Sequence, residues 1–227
     1  TRSVEYATVD GKPVTGALAQ PKGWKKGGPA VILVHEWWGL NDNIRDFARQ
    51  FASHGYAALA VDLYGGKTAT DPAGAQALMK PVFANVEGAN ENLRQASRYL
   101  HQTVGAAKVG VVGWCFGGGW ALQAALMAPD QIDAAVVYYG EPEMDRAKLD
   151  KLRAPLLGLY GAEDKSFGPD GPRKFEALLR ELHKDASIHV FPGAGHAFAN
   201  ASGGNYVAAA ADEAWKLTLD FLAKHLR

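Results

Sequence analysis

The stretch Lys108-Val-Gly-Val-Val112-Gly113-Trp114-Cys115-Phe116-Gly117 decides how this chain folds. Lys108 to Val112 reads as a strand and Cys115 to Met127 as a helix, so the Gly-Trp-Cys-Phe-Gly pentad has to turn the chain sharply between them. A G-x-nucleophile-x-G turn of this kind holds its central residue strained at the carboxyl edge of a sheet, and here that residue is Cys115. The flanking glycines have a steric reason, because side chains there would meet neighbouring strand and helix backbone. A free cysteine more often just packs. At a strand-to-helix junction, where the helix dipole favours a thiolate, a chemical role for Cys115 outweighs that reading.

The same alternation extends outward in both directions. Ala30 to Val34 is uniformly apolar, as a strand buried on both faces should be. A helix follows, capped around Asn41 to Asn43, with Ile44, Phe47, Ala48 and Phe51 on one face and Gly55 at its end. Tyr56 to Val61 is the next strand, Asp62 to Pro72 a loop, and two helical stretches run to about Gln102. Beyond the pentad lie strands at Ile132 to Tyr138, Pro155 to Tyr160 and Ser187 to Phe191, with helices near Pro169 to Lys184 and Tyr206 to His225. Ser3 to Val9 and Val14 to Ala19 form a hairpin around Asp10-Gly11, a type I′ turn dipeptide. The expected fold is therefore α/β: a mostly parallel twisted sheet with helices on both faces and an N-terminal antiparallel hairpin, in a single domain spanning 1–227.

Composition excludes several function classes. Among 227 residues, 24 Lys and Arg balance 24 Asp and Glu. Without a basic excess, neither nucleic acid nor an anionic membrane is an expected partner. No apolar run approaches the length of a membrane span. The single cysteine forbids an intrachain disulfide, which suits a reducing cytoplasm; a periplasmic setting after loss of a leading segment fits the same composition. His35-Glu36-Trp37-Trp38-Gly39 is not H-E-x-x-H, and Gly66-Lys67-Thr68 lacks the glycine that a phosphate loop needs upstream. No metal and no cofactor is expected.

A nucleophile turn of this type is followed, in chain order, by an acid and then a histidine, each in a loop after a strand. Gly161-Ala-Glu163-Asp164 offers two candidate acids. Gly193-Ala-Gly-His196 offers the histidine, and the other six histidines lack such a setting. The loop after the first parallel strand, His35 to Gly39, is where a second oxyanion donor is expected, so the backbone N–H groups of Trp37 and Phe116 are candidates. Glu36 in that loop is placed to contact the thiol or to satisfy backbone donors.

Over nearly its whole length the chain resembles the dienelactone hydrolase family of the α/β-hydrolase superfamily. The resemblance rests on His35-Glu-Trp-Trp-Gly39, Asp62-Leu-Tyr64, Gly113-Trp-Cys-Phe-Gly-Gly118, Tyr138-Tyr-Gly140, Gly161-Ala-Glu-Asp164 and Gly195-His-Ala-Phe198. It implies Cys115 as nucleophile, His196 as general base, Asp164 rather than Glu163 as its partner, and Glu36 as a switch on the thiol. It implies no cofactor. Family members acting on dienelactone hold the substrate carboxylate with arginines, one of them four residues beyond the catalytic histidine. Asn200 stands there in this chain, and Asp71 to Pro81 has no arginine.

Without bidentate guanidinium pairing, an uncharged substrate is expected. Trp38, Trp114, Tyr64, Phe198 and Asn200, beside Trp37 and Phe116, are expected to line its pocket. The reading is thus a metal-independent hydrolase of neutral esters or lactones acting through an acyl-cysteine. Phosphotriester hydrolysis by the same triad, an activity to which the family resemblance extends, is the alternative. A non-catalytic binding protein or a thiol-redox protein is the alternative of another class. The chain is expected to work as a monomer or homodimer on small molecules.

Overall fold

The structure is a computed structural model that describes residues 1–167 and 170–227. Eight strands form one sheet: β1 (Arg2–Val9), β2 (Lys12–Ala19), β3 (Pro29–Val34), β4 (Ala57–Val61), β5 (Lys108–Trp114), β6 (Ala134–Tyr138), β7 (Leu156–Gly161) and β8 (Ala186–Phe191). Their spatial order is β1-β2-β4-β3-β5-β6-β7-β8. The β1–β2 and β2–β4 pairs are antiparallel and every other pair is parallel. The expected architecture is borne out. In the hairpin, Asp10 and Gly11 both take positive φ, at 50° and 73°, which a type I′ turn requires.

Helices α1 (Asp42–Ser53), α2 (Pro72–Ala84), α3 (Val86–Arg98), α4 (Phe116–Met127), α5 (Arg146–Leu149), α6 (Gly171–Glu181) and α7 (Ala208–Leu226) cover both faces. On one face α1 and α7 bury Ile44, Ala48, Phe51, Ala214 and Leu222 against Val31, Leu33, Val112 and Val136. On the other, α3, α4 and α6 bury Leu93, Ala121, Phe175 and Leu179 against Ile32, Val111 and Val137. Alternate residues of β3 and β5 therefore face opposite cores, and this is why those strands read as continuously apolar. No helix among the described residues is long and apolar enough to cross a membrane.

The four-residue α5 was not expected from the sequence, nor was the π-helical form in which the stretch expected to about Gln102 ends. Four residues at α5 are too few to show a period, although Asp145 caps them through Ala147 N–H. Tyr99–Val104 continues α3 as a π-helical segment closed by Gly105 at φ 78°. The helix expected over Pro169 to Lys184 is shorter at its far end, where His183 adopts φ 54° and breaks the spiral; its expected start at Pro169 lies outside the described residues.

The chain leaves β3 toward β4 on one side, whereas β5 is followed by β6 on the other. That reversal opens a crevice beyond the carboxyl ends of β3 and β5. Two glycines let α4 approach it. A Cβ on Gly113 would lie inside the Gly117 carbonyl, and one on Gly117 would overlap the backbone carbonyls of Val34 and His35. Gly117→Ala is therefore expected to cost at least ~2 kcal/mol, since backbone and not a flexible side chain must move. Urea unfolding followed by circular dichroism measures it, and an unshifted midpoint would contradict the close approach.

Candidate active site

Cys115 sits at the N-terminus of α4 with φ 55° and ψ −119°, a conformation rarely adopted by a residue with a side chain. Its backbone N–H donates to Tyr138 O (2.9 Å), and its carbonyl accepts from Gly118 N–H at 2.9 Å. These bonds tie the strained turn to β6 and to its own helix. The sulfur is half-buried and points toward His196.

His196 lies in the loop after β8 and Asp164 in the loop after β7, neighbouring strands whose carboxyl ends meet. His196 Nδ1 is 2.7 Å from Asp164 Oδ2, and Nε2 is 3.0 Å from Cys115 Sγ. A carboxylate can only accept, so Nδ1 carries the proton toward Asp164 and Nε2 faces the thiol. The other carboxylate oxygen of Asp164 accepts from Ser166 N–H at 2.9 Å, which fixes the acid's orientation. The three residues singled out in the sequence are thus brought into one hydrogen-bonded line.

Charge follows this geometry. Burial works against a charged imidazole, but the hydrogen bonds to Asp164 and Cys115 outweigh it and lift His196 to about 10. Burial likewise opposes ionisation of Asp164, yet the bonds from His196 and Ser166 leave it below the usual carboxylate range. Acid and imidazole stabilise each other's charge across the 2.7 Å contact.

Glu36 is placed differently from what the sequence suggested. The thiol's hydrogen bond goes to His196, and Glu36 is not its partner in this structure. The Glu36 carboxylate instead accepts from Tyr139 Oη at 3.3 Å and from Asn200 Nδ2 at 2.5 Å. It is 2 % exposed, and burial pushes it up to about 7 against the pull of those two donors and of His196. Its loop is pinned by His35, whose Nε2 accepts from Leu63 N–H (3.2 Å) while Nδ1 donates to Glu36 O at 2.6 Å. That arrangement needs a neutral imidazole, and burial holds His35 below its ordinary value.

A cleft of about 900 Å³ opens over the sulfur, and Cys115, His196, Trp37, Phe116 and Tyr139 border it. The five residues expected to line the pocket do not line this cleft. Trp114 alternates to the opposite face of β5, stacked on Phe47 at 4.5 Å. Phe198 is fully buried against Tyr139 and Phe191. Tyr64 packs beneath His35 and Phe116. Trp38 turns aside against Trp37, at 4.9 Å. Asn200 is 4 % exposed and spends its amide on Glu36, so it stands where an anion clamp would be without facing substrate. Aromatic character near a motif does not say which face a ring takes.

Three contributors were missed. Tyr139, at φ 37°, sets its ring 5.3 Å from that of His196 while its hydroxyl reaches Glu36. Its only sequence signal was the Tyr138-Tyr-Gly140 stretch at the end of β6. Ser166 and Phe167 border the cleft beside His196; a serine two residues after an aspartate is the one trace of the turn that orders Asp164.

Comparison with known proteins places the chain and its fold among relatives. The chain is 34% identical over 224 residues to Protein usf of Aquifex pyrophilus, covering 96% of each. It is 32% identical over 232 residues to the carboxymethylenebutenolidase of Pseudomonas putida, covering 98% of this chain and 96% of that one. Its fold matches that of the dienelactone hydrolase-like promiscuous phosphotriesterase P91 from metagenomic libraries, with TM-score 0.89 at 24% identity over 100% of this chain and 98% of the other. The model of the dienelactone hydrolase family matches residues 14–226, and the chain belongs to that family.

Proposed function

We propose that the chain hydrolyses uncharged carboxylic esters or lactones through a covalent acyl-cysteine, with Cys115, His196 and Asp164 as the triad and no metal or cofactor. The observation that carries this is the unbroken line from Asp164 through His196 to a strained Cys115 that opens on a cleft. Family membership supports hydrolysis, the lactone-hydrolase name of the Pseudomonas relative supports a lactone ring as substrate, and Asn200 in place of an arginine supports an uncharged one.

In the first half-reaction His196 Nε2 carries the proton it shares with Cys115 while Sγ bonds to the carbonyl carbon. The carbonyl electron pair moves to oxygen. Backbone N–H groups of Phe116 and Trp37 receive that oxyanion; neither has a carbonyl or side-chain acceptor among the described residues, and both residues border the cleft. Collapse expels the alcohol, which takes the proton from His196. Part of what holds the proton on His196 is the sulfur itself, so acylation weakens that hold just when the imidazole must act as acid and then as base. Water gives a proton to Nε2, attacks the thioester, and the carboxylic acid leaves as the thiol is restored.

A neutral phosphotriester is the second reading, favoured by the engagement of Asn200 with Glu36, which leaves no cationic clamp at that position. A thiolate leaves phosphorus more readily than an alkoxide, because its conjugate acid is far stronger.

Cys115→Ala is expected to abolish the burst of p-nitrophenol from p-nitrophenyl acetate and to lower kcat/KM by at least about 10³-fold, with wild-type turnover unaffected by chelators. A retained burst would remove the covalent mechanism. A chain that turns over neither this ester nor a paraoxon-type triester would be a binding or redox protein on the same fold.

Glu36 makes a stability prediction. Its folded value near 7 lies above the ordinary 4.5, so ionising it opposes folding increasingly as pH rises across that interval. Glu36→Gln, which keeps an acceptor for Asn200, should gain thermal stability relative to wild type at about pH 8 and lose that advantage at about pH 5. Equal differences in melting temperature at the two values would show that Glu36 carries no buried charge.

A further inference from the structure

The cleft over Cys115 is longer than the chemistry needs. Besides the catalytic end, its border follows one side of α4 through Gly119, Gln123 and Met127. From Phe116 to Met127 that is about 16 Å of helix. Facing it, at the junction where Asn85 ends α2 and caps α3, stand Phe83 and Val86. They are 53 % and 43 % exposed, unusual for large apolar side chains, and both border the cleft. Phe83 also packs edge-on against Phe116, at 5.6 Å between ring centres.

Gly119 lies one turn beyond Cys115 on this floor. Its neighbour Gly118 is forced by packing, since a Cβ there would come 2.8 Å from Gly140 Cα. At Gly119 a Cβ would meet nothing within 4 Å, and φ is not positive. Neither sterics nor backbone conformation calls for glycine here, and a glycine inside a helix is less favourable than alanine. What the missing side chain leaves is open space in the floor of the cleft beside the sulfur.

We propose that this lane along α4 holds an unbranched apolar chain of the substrate, and that Gly119 is the specificity-determining residue that admits it past the reacting centre. The proposal rests on Cys115 being the nucleophile, since it measures the lane from that sulfur. Gln123, about 12 Å along the helix from Cys115 against about 6 Å for Gly119, gives a second mark along it.

The test compares kcat/KM for p-nitrophenyl acetate, butyrate and octanoate in wild type, Gly119→Ala, Gly119→Leu and Gln123→Trp. Methyl, butyl and octyl acetates repeat the series with the chain on the alcohol. In one series Gly119→Leu should lower the butyrate-to-acetate ratio, or its alcohol counterpart, by at least about tenfold. Gln123→Trp should lower the octyl-to-butyl step instead. Gly119→Ala should raise the melting temperature while lowering the longest-to-shortest ratio less than leucine does.

Ratios unmoved within about twofold in both series, or a Gly119→Ala protein that melts earlier than wild type, would overturn the lane. If Gly119→Leu fails to fold by circular dichroism, Gly119→Ala and Gln123→Trp decide the matter by the same ratios. The two readings separate cleanly. Shifted ratios with ester turnover surviving Cys115→Ala would remove the nucleophile, and with it the sulfur as the lane's origin, while leaving Gly119 and Gln123 as determinants of chain length. Unmoved ratios with Cys115 indispensable would remove the lane alone.

Discussion

The contact on which the rest depends is backbone against backbone: the first turn of α4 lying on the ends of β3 and β5, with Gly117 beneath the Val34 and His35 carbonyls. No side-chain interaction could bring a helix so near a sheet edge. That approach leaves Cys115 at φ 55°, its sulfur lifted out of the sheet at the head of a twelve-residue helix. Strain of this sort persists only when its surroundings hold it, and here the hydrogen bonds to Tyr138 and Gly118 do so.

Two polar systems meet around that sulfur and remain distinct. One runs from Ser166 through Asp164 and His196 to Cys115, and it concentrates positive charge on the imidazole. The other runs from exposed Ser202 through Asn200 to Glu36 and Tyr139, the last three of them buried. Tyr139 joins them, with its hydroxyl in the second and its ring against the histidine of the first. The second system thereby sets the wall against which His196 is oriented, without taking the thiol's hydrogen bond.

Much of the fold could be read from the sequence because its determinants are local. Uniformly apolar five- and six-residue runs, Asn41 as a cap and Asp10-Gly11 as a turn each specify their own backbone. The α/β alternation then restricts how the strands can be ordered. The line Cys115–His196–Asp164 was legible for the same reason, since each residue follows a strand in a short glycine-rich loop. The pocket was not. Whether Trp114 or Phe116 faces the cleft depends on the alternation at the end of β5 and on which core each ring joins, and Phe198 goes to the core beside Phe191. The partner of Glu36 was equally hidden, because Asn200 lies 164 residues away and its approach is a property of the completed sheet.

β8, which carries the loop of His196, is the outermost strand of the parallel side and, among the described residues, pairs only with β7. β6 is fully buried and β5 is buried beyond Lys108, whereas most residues of β8 are partly open to water. Local opening begins where such support is thinnest. On warming, the loop that carries His196 is therefore expected to lose its bearing before the turn that holds Cys115.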